Sequence, residues 1–454
     1  MLVGAPAVGV FVVLRVGSAL PAPQGALVPA SVAASGLAAS DVVLRLGNFL
    51  AQIIVILALS RVIGRLLGRI GQPFVVGEML SGILLGPSAL GAVWPAAYTL
   101  LFPVGTVRFL GAVSQLGLVL FMFFVGLELD PNQLRGRGRS ALLVSHTSIV
   151  MPLFLGTTLS LLLFSPLSPS GVPFPPFALF VGAAMSVTAF PVLARLLAER
   201  NLLPTTLGAL ALACAAVDDV SAWCVLALVV AVAHAGQGPT EVLLMLTGSA
   251  AFVAAMFLVV RPRLQQLAAR HQADGHITHD VLAIIVMVAL GSAWITQQLG
   301  THALFGAFLA GVVMPKSEGF VRDVGRPFED VLLVVLLPLF FATTGIRMSL
   351  SVISGGIMWM NFALLLLVAV AGKLGGSAVA ARASGLSWRE SLSLGALMNA
   401  RGLIGLVILS VGLETGVISQ PLYVMMVLVS IITTVMTTPM LSLFAGPTRG
   451  REMA

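Results

Sequence analysis

Residues 202–234 read LLPTTLGALALACAAVDDVSAWCVLALVVAVAH. Apart from Asp218 and Asp219, this stretch holds no acidic residue and no Lys or Arg. It is long enough, as a helix, to cross the hydrocarbon of a bilayer. A carboxylate at that depth costs roughly 2.5–3.5 kcal/mol on insertion scales. Two neighbouring carboxylates cost more, because they repel each other when both are ionised. A chain that keeps such a pair is using its charge.

The rest of the chain fits the same solvent. Of 454 residues, 58% are hydrophobic and 9% charged, and the mean hydropathy is +1.07. That excludes an ordinary soluble domain and implies an all-α polytopic membrane protein. Thirteen apolar segments follow residue 40, at about 41–61, 73–95, 106–128, 140–164, 176–199, 203–234, 240–260, 278–298, 302–315, 328–347, 357–381, 389–411 and 420–444. All but 302–315 are long enough to cross unaided. The two cysteines, Cys214 and Cys224, share one segment ten residues apart. They are too far apart for a disulfide on one helix and too few for a metal framework.

The net charge of +7 is a topology signal rather than a nucleic-acid footprint, because the basic residues fall in short clusters on alternate loops. Eighteen of the 24 lie there: Arg61, Arg65, Arg69; Arg135, Arg137, Arg139; Arg195, Arg200; Arg261, Arg263, Arg270; Lys316, Arg322, Arg326; Arg382, Arg389; Arg449 and Arg451. The opposite loops hold only Arg45, Arg108 and Arg347, with Arg15 near the start. The expected orientation is an outside N-terminus and a cytoplasmic C-terminus in a cell membrane. Residues 1–40 read either as a signal peptide or as an Ala/Pro-rich tail, and 446–454 as a cytoplasmic tail. No nucleotide-binding or Cys-rich regulatory domain is expected.

Two segments are broken. In Ser186-Val187-Thr188-Ala189-Phe190-Pro191, Pro191 removes a backbone donor and disfavours helix at Phe190. In Met398-Asn399-Ala400-Arg401-Gly402-Leu403-Ile404-Gly405, an arginine precedes two glycines. Breaks seven segments apart predict two inverted repeats of six, 41–234 and 278–444, joined by a linker helix at 240–260. Such breaks mark a midplane site where half-helix ends offer partial charges. Two unrelated kinks are the alternative reading.

Charges in hydrocarbon need partners. Lys373 and Arg401 are the basic ones; Asp218, Asp219 and Glu78 are the acidic ones. Lys373 is expected to pair with the aspartates. Neighbours on a helix point about 100° apart, so one aspartate can face Lys373 and the other the broken helices. A purely structural ion pair would not need two carboxylates. Glu78 reads equally as a carboxylate at the mouth of a cytoplasmic funnel or as a helix cap. His146 and His302 read as core histidines, and Glu128 and Asp130 as a solvated helix end.

The residues also resemble a known family. Gln72-Pro73 through Gly86-Pro87-Ser88, Phe124 through Asp130, Thr188 through Leu193, Asp219-Val220 with Ala222-Trp223, Gly300-Thr301-His302-Ala303 through Gly311, Pro338 through Gly345, Arg401-Gly402-Leu403 and Thr433 through Pro439 occur in order. Over about residues 45–445 the chain resembles the monovalent cation:proton antiporter-2 family. The resemblance implies a core domain sliding against a dimerisation domain in a homodimer, with an ion site where two broken helices cross. It implies Asp219 as the carboxylate that holds a proton or a monovalent cation, Asp218 as the partner of Lys373, and Thr188 near the crossing with Pro191, Asn399, Arg401 and Gly402. An Asp-Asp pair is similar to electrogenic members. Na⁺ or K⁺ and H⁺ are then the transported partners, with no cofactor. Many relatives read Arg-Gly-x-x-Glu-Leu, whereas position 405 here is Gly. A sodium-coupled organic anion transporter and a non-transporting sensor or enzyme are the competing readings of this scaffold.

Overall fold

The computed structural model describes residues 4–18, 20, 39–128, 138–188, 190–200, 202, 205–234, 239–266 and 278–445. The expectations for residues 21–38, Asp130, Arg135, Arg137, Arg270 and the 446–454 tail fall outside them. Among the described residues every regular element is helical. In order these are α1 Gly4–Gly17, α2 Ala39–Gly68, α3 Phe74–Leu85, α4 Leu90–Val93, α5 Pro95–Leu101, α6 Val104–Glu128, α7 Gly138–Leu167, α8 Phe174–Ser186, α9 Phe190–Glu199, α10 Thr206–His234 and α11 Pro239–Ala255. There follow α12 His279–Gln298, α13 Ala303–Val313, α14 Glu318–Val331, α15 Leu337–Ile346, α16 Gly356–Val370, α17 Gly376–Ala383, α18 Trp388–Met398, α19 Leu403–Glu414 and α20 Gln420–Ala445. Nine stretches among the described residues are long and apolar enough to cross a membrane. The other four expected segments fall on α8 with α9, on α10, on the short α13, and on α18 with α19.

The helices pack as two bundles. One holds α2, α3, α6, α12, α13 and α15; the other holds α7, α8, α9, α10, α16, α17, α18, α19 and α20. The two halves of the chain contribute alike, the first three segments of each half going to one bundle and the last three to the other. Small residues set the closest approaches, as expected where lipid supplies no hydrophobic drive between helices. A Cβ on Gly126 of α6 would strike the Phe308 carbonyl of α13, and one on Gly82 of α3 would strike the Ala342 carbonyl of α15. The second helix of each half thus packs on the third helix of the other, which is the pairing that a two-fold pseudosymmetry requires.

Direct bonds between the bundles cluster at the two ends. At one end, Gln115 Nε2 and Arg347 Nη1 donate to Glu414 Oε1 at 3.1 and 3.3 Å. At the other, Gln72 Nε2 donates to the Val435 carbonyl at 3.3 Å and Thr438 Oγ1 to the Gly71 carbonyl at 3.2 Å. The N-terminal helix α1 lies against α7 and α8.

Candidate functional site

Both broken segments open where their sequence predicts. The first stops being helical after Ser186 and resumes at Phe190, with Pro191 as the second residue of α9. The second ends at Met398 and resumes at Leu403, leaving Asn399 to Gly402 between half-helices. Each opening exposes carbonyls that no longer have a partner one turn on. A side chain from each opening reaches a carbonyl at the end of the other. Thr188, from the first opening, lies 3.1 Å from the Met398 carbonyl that ends α18. Arg401, from the second opening, donates Nη1 to the Ala184 carbonyl of α8 at 3.3 Å and Nη2 to the Ala369 carbonyl of α16 at 3.0 Å. Thr434 on α20 closes the second opening, accepting from the Arg401 amide at 3.1 Å and donating to the Arg401 carbonyl at 2.5 Å.

Lys373 sits in a π turn, Ala371–Gly375, between α16 and α17. Its Nζ is 2.8 Å from Asp218 Oδ2, with both side chains fully buried. The same ammonium donates to the Ser186 carbonyl at the end of α8 (2.5 Å) and to Ser148 Oγ (2.7 Å). Asp218 is surrounded by donors: Ser145 Oγ reaches Oδ1 at 2.5 Å, while Thr188 Oγ1 and Ser148 Oγ reach Oδ2 at 2.7 and 3.1 Å. The single Thr188 proton serves one acceptor at a time, and Asp218 is the nearer. An ionised carboxylate accepts up to four bonds, so Asp218 is fully satisfied.

Asp219 is the opposite case. It is buried, and among the described residues neither carboxylate oxygen has a hydrogen-bond partner of good geometry. The Phe190 backbone amide, at the start of α9, is directed towards it. The opening opposite carries further unused polar atoms, Asn399 Oδ1 and Arg401 Nε. At Gly405, which is buried, an added Cβ would meet nothing within 4 Å. The glycine therefore leaves open room in the second half of the crossing.

Glu78 lies apart from this cluster, buried on α3 in the other bundle. Its Ser81 neighbour bonds its carbonyl at 2.6 Å and shares a hydroxyl contact with Ser60 at 2.7 Å. His146, expected in the core, is exposed on α7 and turns Nδ1 to the Leu142 carbonyl one turn back (2.8 Å). His302 caps α13 through Leu304 and lines a cavity of about 190 Å³ between the bundles, together with Gln115, Thr344, Arg347, Glu414 and Tyr423. That role was not legible, nor were those of Ser145, Ser148 and Thr434. Isolated hydroxyls are common in membrane helices, and only the crossing geometry distinguishes these.

Comparisons with known proteins bear on the family and the fold. The family profile described as "Sodium/hydrogen exchanger, transmembrane" matches residues 54–444. Na(+)/H(+) antiporter NhaS4 of Synechocystis sp. is 42% identical over 86% of this chain and 95% of its own length. Cation/H(+) antiporter 17 of Arabidopsis thaliana is 38% identical over 86% of this chain, which spans only 47% of that longer protein. K(+)/H(+) antiporter 1 of Saccharomyces cerevisiae is 31% identical over 87% of this chain and 46% of its own length. In fold, the chain is similar to the sodium proton antiporter MjNhaP1 of Methanocaldococcus jannaschii, with a TM-score of 0.56 over 90% of this chain and all of that one, at 14% identity. Crossed half-helices around a buried aspartate pair, on a scaffold matched over nearly its whole membrane region, have one reading: the chain belongs to the transmembrane sodium/hydrogen exchanger family.

Proposed function

We propose that the chain exchanges Na⁺ or K⁺ for protons by alternating access, with Asp219 as the group that holds either ion. The observation that carries this is the contrast within the pair. Asp218 is fully bonded, whereas Asp219 is as deeply buried with no partner of good geometry on either oxygen among the described residues. A bare carboxylate in a dry site is not sustained. It takes up either a proton or a cation, so the site is neutralised by one or the other before it moves. That rule couples the two fluxes without any further device. Asp218 and Lys373 serve as the fixed charge pair that ties α10 to the π turn. Thr188 and Arg401 hold the half-helix ends in register, with Asn399 and Gly402 shaping the second opening and Pro191 the first.

The moving unit in this reading is the bundle that carries the crossing, displaced against the other. Bonds between bundles concentrated at their two ends suit such a motion, because few need to break. Residues 41–234 and 278–444 act as the two repeats and 240–260 as the linker. The positive-inside distribution supports an outside N-terminus and a cytoplasmic C-terminus in a cell membrane, which puts Arg347 and Glu414 at the outer end. A homodimer is proposed through the first bundle, where Leu50 and Ile54 of α2 and Met287 and Trp294 of α12 are exposed. Cross-linking in native membranes should then yield a species of twice the monomer mass; monomer alone at every dose removes the dimer.

Competition for one carboxylate makes a kinetic prediction. The apparent KM for the cation should rise as pH falls, while the rate at saturating cation changes far less. Vesicle exchange measured against cation concentration at several pH values tests it. A pH-independent KM would mean that the proton and the cation use separate groups.

A further inference from the structure

Few basic residues fall on the loops assigned to the outer side, yet two of them line one cavity. Arg108, on α6, and Arg347, which ends α15, line one open cavity of about 450 Å³ with Tyr98, Thr99, Phe102, Pro103 and Val107. Arg347 packs over Gly111, one turn along α6 from Arg108. It is shared with Glu414, whose carboxylate lies 3.3 Å from its Nη1 on the side of the other bundle. Arg108 is exposed and has no hydrogen-bond or ion-pair partner among the described residues. Two guanidinium groups and one carboxylate leave the spot with an unmatched positive charge. Like charges are not brought together without a counter-charge at little cost, and no acidic side chain is present in the cavity lining.

The surroundings specify the form of that counter-charge. The short helices α4 and α5 carry Val93, Trp94 and Leu100 exposed, a pattern suited to lying at the level of lipid headgroups. Tyr98 is pushed up by burial and so remains a neutral hydroxyl donor. Phe102, Pro103 and Val107 give the cavity an apolar wall. We propose that this cavity is a binding site for the phosphate of an outer-leaflet phospholipid, held by Arg108 and Arg347 with the glycerol and upper acyl chain along the apolar wall. The apolar wall and the interfacial helices favour a lipid over free phosphate. Arginine forks match phosphate oxygens bidentately. The same Arg347 ties the two bundles through Glu414, so an occupied site bears on a bond that the proposed motion must alter. The proposal rests on the orientation given above but not on the exchange activity.

Native mass spectrometry of the purified, delipidated protein in neutral detergent tests it, with phosphatidylglycerol as the probe. The wild type should retain one tightly bound lipid per chain. Arg108→Gln should weaken that affinity about tenfold, the loss of one charge-assisted hydrogen bond, and Arg108→Lys, which keeps the charge but not the fork, should restore part of it. Arg108 is exposed without partners, so the variants are expected to fold as the wild type does. Equal affinity in Arg108→Gln overturns the site. Displacement of the lipid by millimolar inorganic phosphate overturns the lipid assignment and leaves a free-anion site.

Discussion

Asp219→Asn is expected to reduce cation/proton exchange to background while the protein still folds and inserts. Asn has nearly the same shape as Asp and is neutral at all pH values, so it mimics a permanently protonated site. Little hydrogen bonding is lost on substitution, because among the described residues neither Asp219 oxygen has a partner of good geometry and an Asn Oδ1 can still accept from the Phe190 amide. The unfavourable burial of a charge is removed as well, so stability should hold or rise. Dissipation of a pH gradient in everted vesicles on adding NaCl or KCl gives the activity, and thermal unfolding gives the stability. An active Asp219→Asn protein sinks the assignment of the ion to this residue. An unfolded one would instead make Asp219 structural.

Lys373→Ala is expected to be the most destabilising single change in the second bundle. Removing one member of a buried pair leaves an uncompensated charge, at a cost of about 3–5 kcal/mol. Three hydroxyls would remain on Asp218, from Ser145, Ser148 and Thr188, but none carries charge. The Ser186 carbonyl at the end of α8 would also lose its ammonium donor. The double change Lys373→Gln with Asp218→Asn removes both charges and keeps polar partners in place, so it should recover most of the loss. Thermal unfolding of the three proteins decides the matter. A Lys373→Ala protein as stable as the wild type contradicts the view that this pair holds the crossing together.

The parts of this molecule that were legible in the sequence are those where hydrocarbon makes a local choice expensive. Lys373 could be paired with the two aspartates in advance, because opposite charges in the same apolar surroundings have few other ways to be satisfied. Pro191, and Gly402 beside Arg401, announced the two openings for a similar reason, since a broken helix in lipid must be repaired by neighbours. The bonds of Arg401 were not legible, because its acceptors are the backbone carbonyls of Ala184 and Ala369, which every residue possesses. Helix faces were hidden too. In α10 and α16 the lipid side and the protein side are both apolar, so no periodicity marks which is which. His146 was misread on that account: it lies on an exposed face of α7 and is satisfied by its own helix. The resemblance, rather than the spacing, singled out Asp219 over Asp218, and the bonding of the two residues now gives that distinction a physical basis.

The most direct test of the account uses purified protein in proteoliposomes with an outward gradient of Na⁺ or K⁺ and no initial pH difference. The cation gradient alone should drive protons into the vesicles, against their developing gradient, for the wild type and not for Asp219→Asn. Cation efflux without proton uptake, or equal proton uptake by both proteins, would contradict exchange through Asp219.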